Sequence, residues 1–67
     1  MAITLKAARV NAGFTQKEAA ECLNISKSTL ASYEKYKTKP DIEMAQKIAT
    51  LYQMSVDGII FLQKDCA

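Results

Sequence analysis

Ser28, Ser32 and Lys35 are spaced so that, at about 100° per residue, they fall on one side of a helix, and Lys27 opens the same stretch. Hydroxyls donate and accept hydrogen bonds, and an ammonium group adds three donors and a full charge. This is chemistry for recognising a polar or anionic partner rather than for making and breaking bonds. The usual catalytic parts are missing: the chain has no histidine, no glycine-rich phosphate loop and no paired carboxylates set on one helix face towards a cleft. The sequence therefore reads as a non-enzyme.

Charge distribution points the same way. A net charge of +2 is too small to announce a polyanion-binding protein by itself. Four of the nine basic residues, however, lie between Lys27 and Lys39 against the single acid Glu34, whereas Asp41 to Asp57 holds three acids and only Lys47. One end of the molecule should be positive. Cys22 and Cys66, with no histidine to join them, match neither a zinc-ligand spacing nor a His-assisted nucleophile, and read as free thiols in a reducing compartment. No cofactor, metal or small-molecule ligand is implied. The longest apolar run, Ile59 to Leu62, falls far below the roughly 20 residues of a membrane span, and the sequence shows no charged-then-apolar signal segment, so the expected location is the cytoplasm.

At 67 residues the chain is expected to form one domain over 1–67 around one modest core. Few breakers and many Ala, Lys, Glu and Gln residues favour helices. The first, about Thr4 to Ala12, is apolar at Leu5, Ala8 and Ala12 and closes at Gly13. The second starts with the reciprocal box of Thr15 and Glu18, preceded by Phe14 as a staple, buries Ala19, Ala20 and Leu23, and ends at Asn24. Ile25 plugs the turn. Ser26 caps a third helix to about Tyr36, with Leu30, Tyr33 and Glu34 on its inner side. After a basic loop ending at Pro40, Asp41 caps a fourth helix with an inward stripe of Ile42, Ala45, Ile48, Ala49 and Tyr52. Ser55 caps a short fifth, with Val56, Ile59 and Ile60 facing in. The expected fold is all-α, a compact five-helix bundle.

Two short helices joined by Asn24-Ile25-Ser26, the second presenting a polar face, make a helix-turn-helix. Such a face can enter the DNA major groove and bring hydrogen-bonding groups to base edges. The sequence here resembles the Cro and phage-repressor (XRE-like) type of helix-turn-helix proteins. The matching residues are L-K-A-A-R (5–9), G-F-T-Q (13–16), A-A (19–20), L-N-I-S-K-S-T-L (23–30), Y-E-K (33–35), K-P-D-I (39–42), I-A (48–49) and M-S-V-D (54–57). Three positions depart from the family pattern: Asn24, Tyr36 and Gln53 stand where such proteins usually or often carry Gly.

The resemblance implies a repressor of phage, prophage or mobile-element type that binds a short inverted-repeat operator in double-stranded DNA as a homodimer. Carried over, Lys27, Ser28 and Ser32 become base-edge contacts, while Gln16, Lys35, Lys37, Thr38 and Lys39 become phosphate contacts. It also links Arg9 to Glu34, two charges flanking buried stripes, as a structural ion pair. Phe61, about 140° from Val56 on the expected fifth helix, has no evident place in the core, and Met44 and Leu51 are surplus apolar residues on the outer side of the fourth. These three are the expected dimer interface. An alternative reading is an interaction module, such as the antitoxin of a toxin–antitoxin pair, whose DNA binding is autoregulatory.

Overall fold

The computed structural model describes residues 2–62. Four helices, α1 (Leu5–Asn11), α2 (Gln16–Leu23), α3 (Lys27–Glu34) and α4 (Ile42–Leu51), are framed by two very short strands, β1 (Ile3–Thr4) and β2 (Ile59–Ile60).

Each α-helix begins on a side chain that accepts from the amide three residues on: Thr4 from Ala7, Thr15 from Glu18, Ser26 from Thr29 and Asp41 from Met44, at 2.8–3.1 Å. At Thr15 the box is complete, since its own amide donates to Glu18 Oε1 at 2.9 Å. The four C-termini share one device too. Gly13, Asn24, Tyr36 and Gln53 all have left-handed backbone, with φ of 86°, 59°, 60° and 57°. The amide of the next residue then reaches back to the last free turn: Phe14 to Arg9, Ile25 to Ala20, Lys37 to Ser32 and Met54 to Ala49, at 2.9–3.2 Å. The positions where Gly is replaced thus keep the backbone that Gly favours. Each carries the cost of a Cβ in that region, roughly 1–2 kcal/mol for an ordinary L-residue and less for Asn.

Leu5, Leu30 and Ile48 are fully buried at the centre, surrounded by Ala8, Ala19, Ala20, Leu23, Ala49, Tyr52 and Ile59. The paired alanines let α3 and α4 come close to α2, where larger side chains would hold the axes apart. Ile42, expected in the core, is instead 71% exposed. It is the first residue of α4, and because helical Cβ atoms tilt towards the N-terminus its side chain projects past the end of the packed stripe. Ala12, also expected to be buried, is exposed beyond the end of α1, and Arg9 takes the inward position there.

The expected fifth helix is absent. Val56–Gly58 forms one 3-10 turn, Ser55 makes no side-chain cap, and the chain then extends into β2, which pairs in parallel with β1 through Ile3 with Ile59 and Thr4 with Ile60. Gly58 interrupts the helical pattern, and the β-branched Ile59 and Ile60 suit an extended backbone that can bond to Ile3 and Thr4. The strand still delivers Ile59 to the core, at 5% exposure. A four-helix domain with a small β pairing therefore replaces the all-α five-helix bundle. Among the described residues, no helix is long and apolar enough to cross a membrane.

Candidate nucleic-acid interface

The turn between α2 and α3 is fixed from both sides. Asn24 reverses the chain with φ 59° and ψ 41°, Ile25 packs against the core, and Ser26 caps α3 while its hydroxyl also lies 2.8 Å from Thr29 Oγ1. Leu30, at 0% exposure, pins the middle of α3. Lys27 and Ser28 are exposed on its outer side, and Ser32, one turn further on, is half-buried.

The far end of α3 is held by a charged network. Arg9 Nε donates to Glu34 Oε2 at 2.7 Å and Arg9 Nη2 to Glu34 Oε1 at 3.3 Å, a two-pronged pair with side chains only 10% and 4% exposed. Arg9 Nη1 donates to the Phe14 carbonyl at 2.9 Å. Gln16 Nε2 donates to Glu34 Oε1 at 3.0 Å. One carboxylate thus ties α1, the first residue of α2 and the last residue of α3 into a fixed triangle. Gln16, expected at phosphate, is tethered, but its amide keeps a second N–H and its carbonyl oxygen for other partners.

Beside this network lies Tyr52, 4% exposed, with its ring centroid 6.1 Å from that of Phe14. Its hydroxyl is buried and has no hydrogen-bond partner. Burial, reinforced by the Glu34 carboxylate and opposed by Arg9, pushes its pKa up to about 12. Sequence patterning gives Tyr52 as core and carries no signal of the orphan hydroxyl.

Lys35, Lys37, Thr38 and Lys39 are all exposed on the loop after α3. Its path is set by the left-handed Tyr36, whose hydroxyl donates to the Ile60 carbonyl at 3.0 Å. This tether connects the basic loop to β2 and is invisible in the sequence. A shallow cleft of about 260 Å³ separates the loop from Phe61 and Leu62. Phe61, Met44 and Leu51, expected as surplus apolar groups, are each half-buried against the domain's own core, and Leu62 is the exposed apolar residue at this end. Phe61 finds its place because β2 returns alongside β1 instead of continuing as a helix.

Cys22 is a free, exposed thiol on α2, and Cys66 lies outside the described residues. Among the described residues, no group of three or more Cys, Asp or Glu side chains is set to hold a metal ion.

A helix-turn-helix family model matches residues 5–59. The chain is also 46% identical over 56 residues to the HTH-type transcriptional regulator ImmR of Bacillus subtilis (strain 168), an alignment covering 84% of this chain and 44% of that protein. It therefore spans less than half the length of this curated relative. With the family pattern running from the first turn of α1 to β2, and with the turn, caps and charged network described above, the protein belongs to the helix-turn-helix family of Cro and phage-repressor type.

Proposed function

We propose that the chain is the DNA-reading module of a transcriptional repressor that acts in the cytoplasm by occupying an operator and excluding polymerase. In this reading α3 lies in the major groove. Lys27 reaches a guanine O6 or N7, and Ser28 and Ser32 meet base edges directly or through water. Gln16, Lys35, Lys37, Thr38 and Lys39 grip phosphates, which fix register without carrying sequence information. Two copies joined around Phe61, Met44 and Leu51 bind inverted half-sites about one helical turn, ~34 Å, apart.

The observation that carries the reading is the state of α3. Its inner side is locked by Leu30 and by the bonds on Glu34, while Lys27 and Ser28 stand free on the outer side with no packing duty. A rigid helix with an unused polar face is what groove recognition needs. The Bacillus subtilis relative, a transcriptional regulator, agrees with it.

Selection from a randomised duplex pool tests this. Enrichment of a short inverted repeat is expected, followed by loss of preference for it over scrambled duplex when Ser28 and Ser32 are both replaced by alanine. A pool that shows no enrichment, or a double variant with undiminished discrimination, refutes the assignment.

A further inference from the structure

The loop between α3 and α4 has few bonds of its own. At its start the amides of Lys35, Tyr36 and Lys37 turn back to the carbonyls of Ala31, Tyr33 and Ser32 at 3.0–3.1 Å, and at its end Asp41 caps α4. Between these points Thr38 and Lys39 make no hydrogen bond to any described residue. Among the described residues, a single side-chain hydrogen bond ties the loop to a distant part of the domain: the Tyr36 hydroxyl donates to the Ile60 carbonyl at 3.0 Å, across 24 positions of sequence. Tyr36 makes this bond from left-handed backbone, φ 60°, which glycine adopts freely and a Cβ makes costly. Glycine would turn the chain equally well and leave the loop without its tether. The acceptor is firmly placed, since Ile60 lies in β2, paired with Thr4 of β1 and preceded by the buried Ile59. Just beyond it, Phe61 packs on the core and, with Leu62, forms the far wall of the cleft that Tyr36, Lys37, Thr38 and Lys39 line.

Resting on the DNA-binding reading above, we propose that Tyr36 is a positioning residue for that binding: its hydroxyl uses the β pairing as a fixed post and holds the loop from Lys37 to Lys39 in the shape in which it meets the duplex. Tyr36 acts through the loop lysines and does not itself touch DNA. A loop fixed only at its ends samples many conformations, and ordering it on a ligand subtracts from affinity. With Tyr36 bonded to Ile60, part of that ordering is already done in the free protein. The bond also gives β2 a second role. The strand delivers Ile59 to the core and, through the carbonyl of the next residue, sets the loop that follows α3. Whatever loosens β2 therefore loosens the loop, and a duplex that grips the loop steadies β2 by the same free energy.

The test is a double-mutant cycle on binding to a mixed-sequence duplex of about two helical turns, measured across a salt series that begins low enough for weakened variants to bind. The cycle compares the unmodified chain, Tyr36→Phe, Lys37→Ala/Lys39→Ala and the combination of all three changes. Tyr36→Phe keeps the ring in the cleft and removes only the donor. It should weaken binding roughly two- to tenfold, the span of one hydrogen bond's net contribution. The slope of log K against log salt should stay as it is, because every phosphate contact can still form. Once Lys37 and Lys39 are alanine, Tyr36→Phe should have no further effect. In the free protein, amide NMR relaxation should give lower order parameters for Lys37, Thr38 and Lys39 in Tyr36→Phe, with Leu30 unchanged. Cooperative melting well above the binding temperature establishes that each variant is folded. Undiminished binding by Tyr36→Phe, with Lys37→Ala/Lys39→Ala weakened, overturns the positioning role and leaves the DNA reading standing. Equal losses from Tyr36→Phe in both backgrounds overturn it as a general structural effect. A loss of affinity with unchanged loop order parameters overturns it in favour of a direct contact between the hydroxyl and DNA. Failure of the unmodified chain to bind any duplex overturns both the positioning role and the DNA reading.

Discussion

Glu34→Gln tests the network that sets the position of α3. The carboxylate accepts from Arg9 Nε at 2.7 Å, Arg9 Nη2 at 3.3 Å and Gln16 Nε2 at 3.0 Å, with only 4% of the side chain exposed. Glutamine keeps the shape but offers one acceptor in place of two, and its NH₂ faces donors that it cannot satisfy. The Arg9 guanidinium, 10% exposed, is then left charged with only the Phe14 carbonyl as a close acceptor. Removing one partner of a buried pair costs about 3–5 kcal/mol, compared with roughly 0–1 kcal/mol for an exposed pair. A domain of this length has a total stability of roughly 3–10 kcal/mol, so the loss is a large fraction of the whole. At about 4–8 °C per kcal/mol, the thermal midpoint should fall by at least roughly 12 °C. Calorimetry, or circular dichroism melting, reads this directly, and the deficit should persist in high salt because a buried pair is poorly screened. The replacement Arg9→Met with Glu34→Leu removes both charges together and should cost much less than Glu34→Gln alone. A midpoint unchanged by Glu34→Gln, or a deficit abolished by salt, would show the pair to be a surface contact and sink the argument.

Tyr52→Phe removes a buried hydroxyl that has no partner, so stability should stay level or rise by about 1 kcal/mol, measured by urea unfolding. Because the folded-state pKa of Tyr52 is raised from 10 to about 12, the unfolded chain loses that proton first; stability should fall from about pH 10 to 12, and the fall should be shallower in Tyr52→Phe. Gln53→Gly relieves a left-handed Cβ at an exposed position and should stabilise by about 0.5–1 kcal/mol, seen as a higher melting midpoint. Phe61→Ser should convert a dimer to a monomer in micromolar sedimentation runs and also lower stability, since Phe61 packs on its own core; a monomer both before and after the change rejects the interface. Lys37→Ala should weaken operator and scrambled duplex alike, with a salt slope shallower by about one unit, in anisotropy titrations.

Helix starts were the most legible part of the fold, because a cap is a local contract between residues three apart. Thr15 with Glu18, Ser26 and Asp41 each announce a helix by type and spacing, and each makes the expected bond. The C-terminal end departs from its local pattern for a reason of the same kind turned round. Val56, Ile59 and Ile60 carry helical spacing, but the alternative that wins depends on Ile3, more than fifty residues away in sequence, supplying a parallel partner. No local pattern encodes that pairing. Ile42 shows a subtler limit: its place in the i, i+3 series is right, yet a periodic stripe does not say where the neighbouring layer ends.

The candidate interface divides along the same line. Of the outward set Ser28, Ser32 and Lys35 that follows from helix geometry alone, Ser28 and Lys35 are exposed and Ser32 is half-buried; Lys27 follows from the family pattern, and Arg9 with Glu34 from two inner stripes that must meet, together with that pattern. Gln16 is different. Sequence position makes it a free polar residue at a helix start, whereas its contact with Glu34 arises only because α1 and α3 bring Arg9 and Glu34 to the same point. Charge counting along the chain likewise finds the run from Lys27 to Lys39 and passes over Lys6 and Lys17, which stand among neutral and acidic neighbours. Folding brings them together: Lys6, Lys17 and Lys27, from three helices, line one notch, while Glu18 turns to the Thr15 amide and Glu34 to Arg9. The electrostatic surface of so small a domain is therefore decided less by how many charges it carries than by which of them the packing of its helices brings to one place.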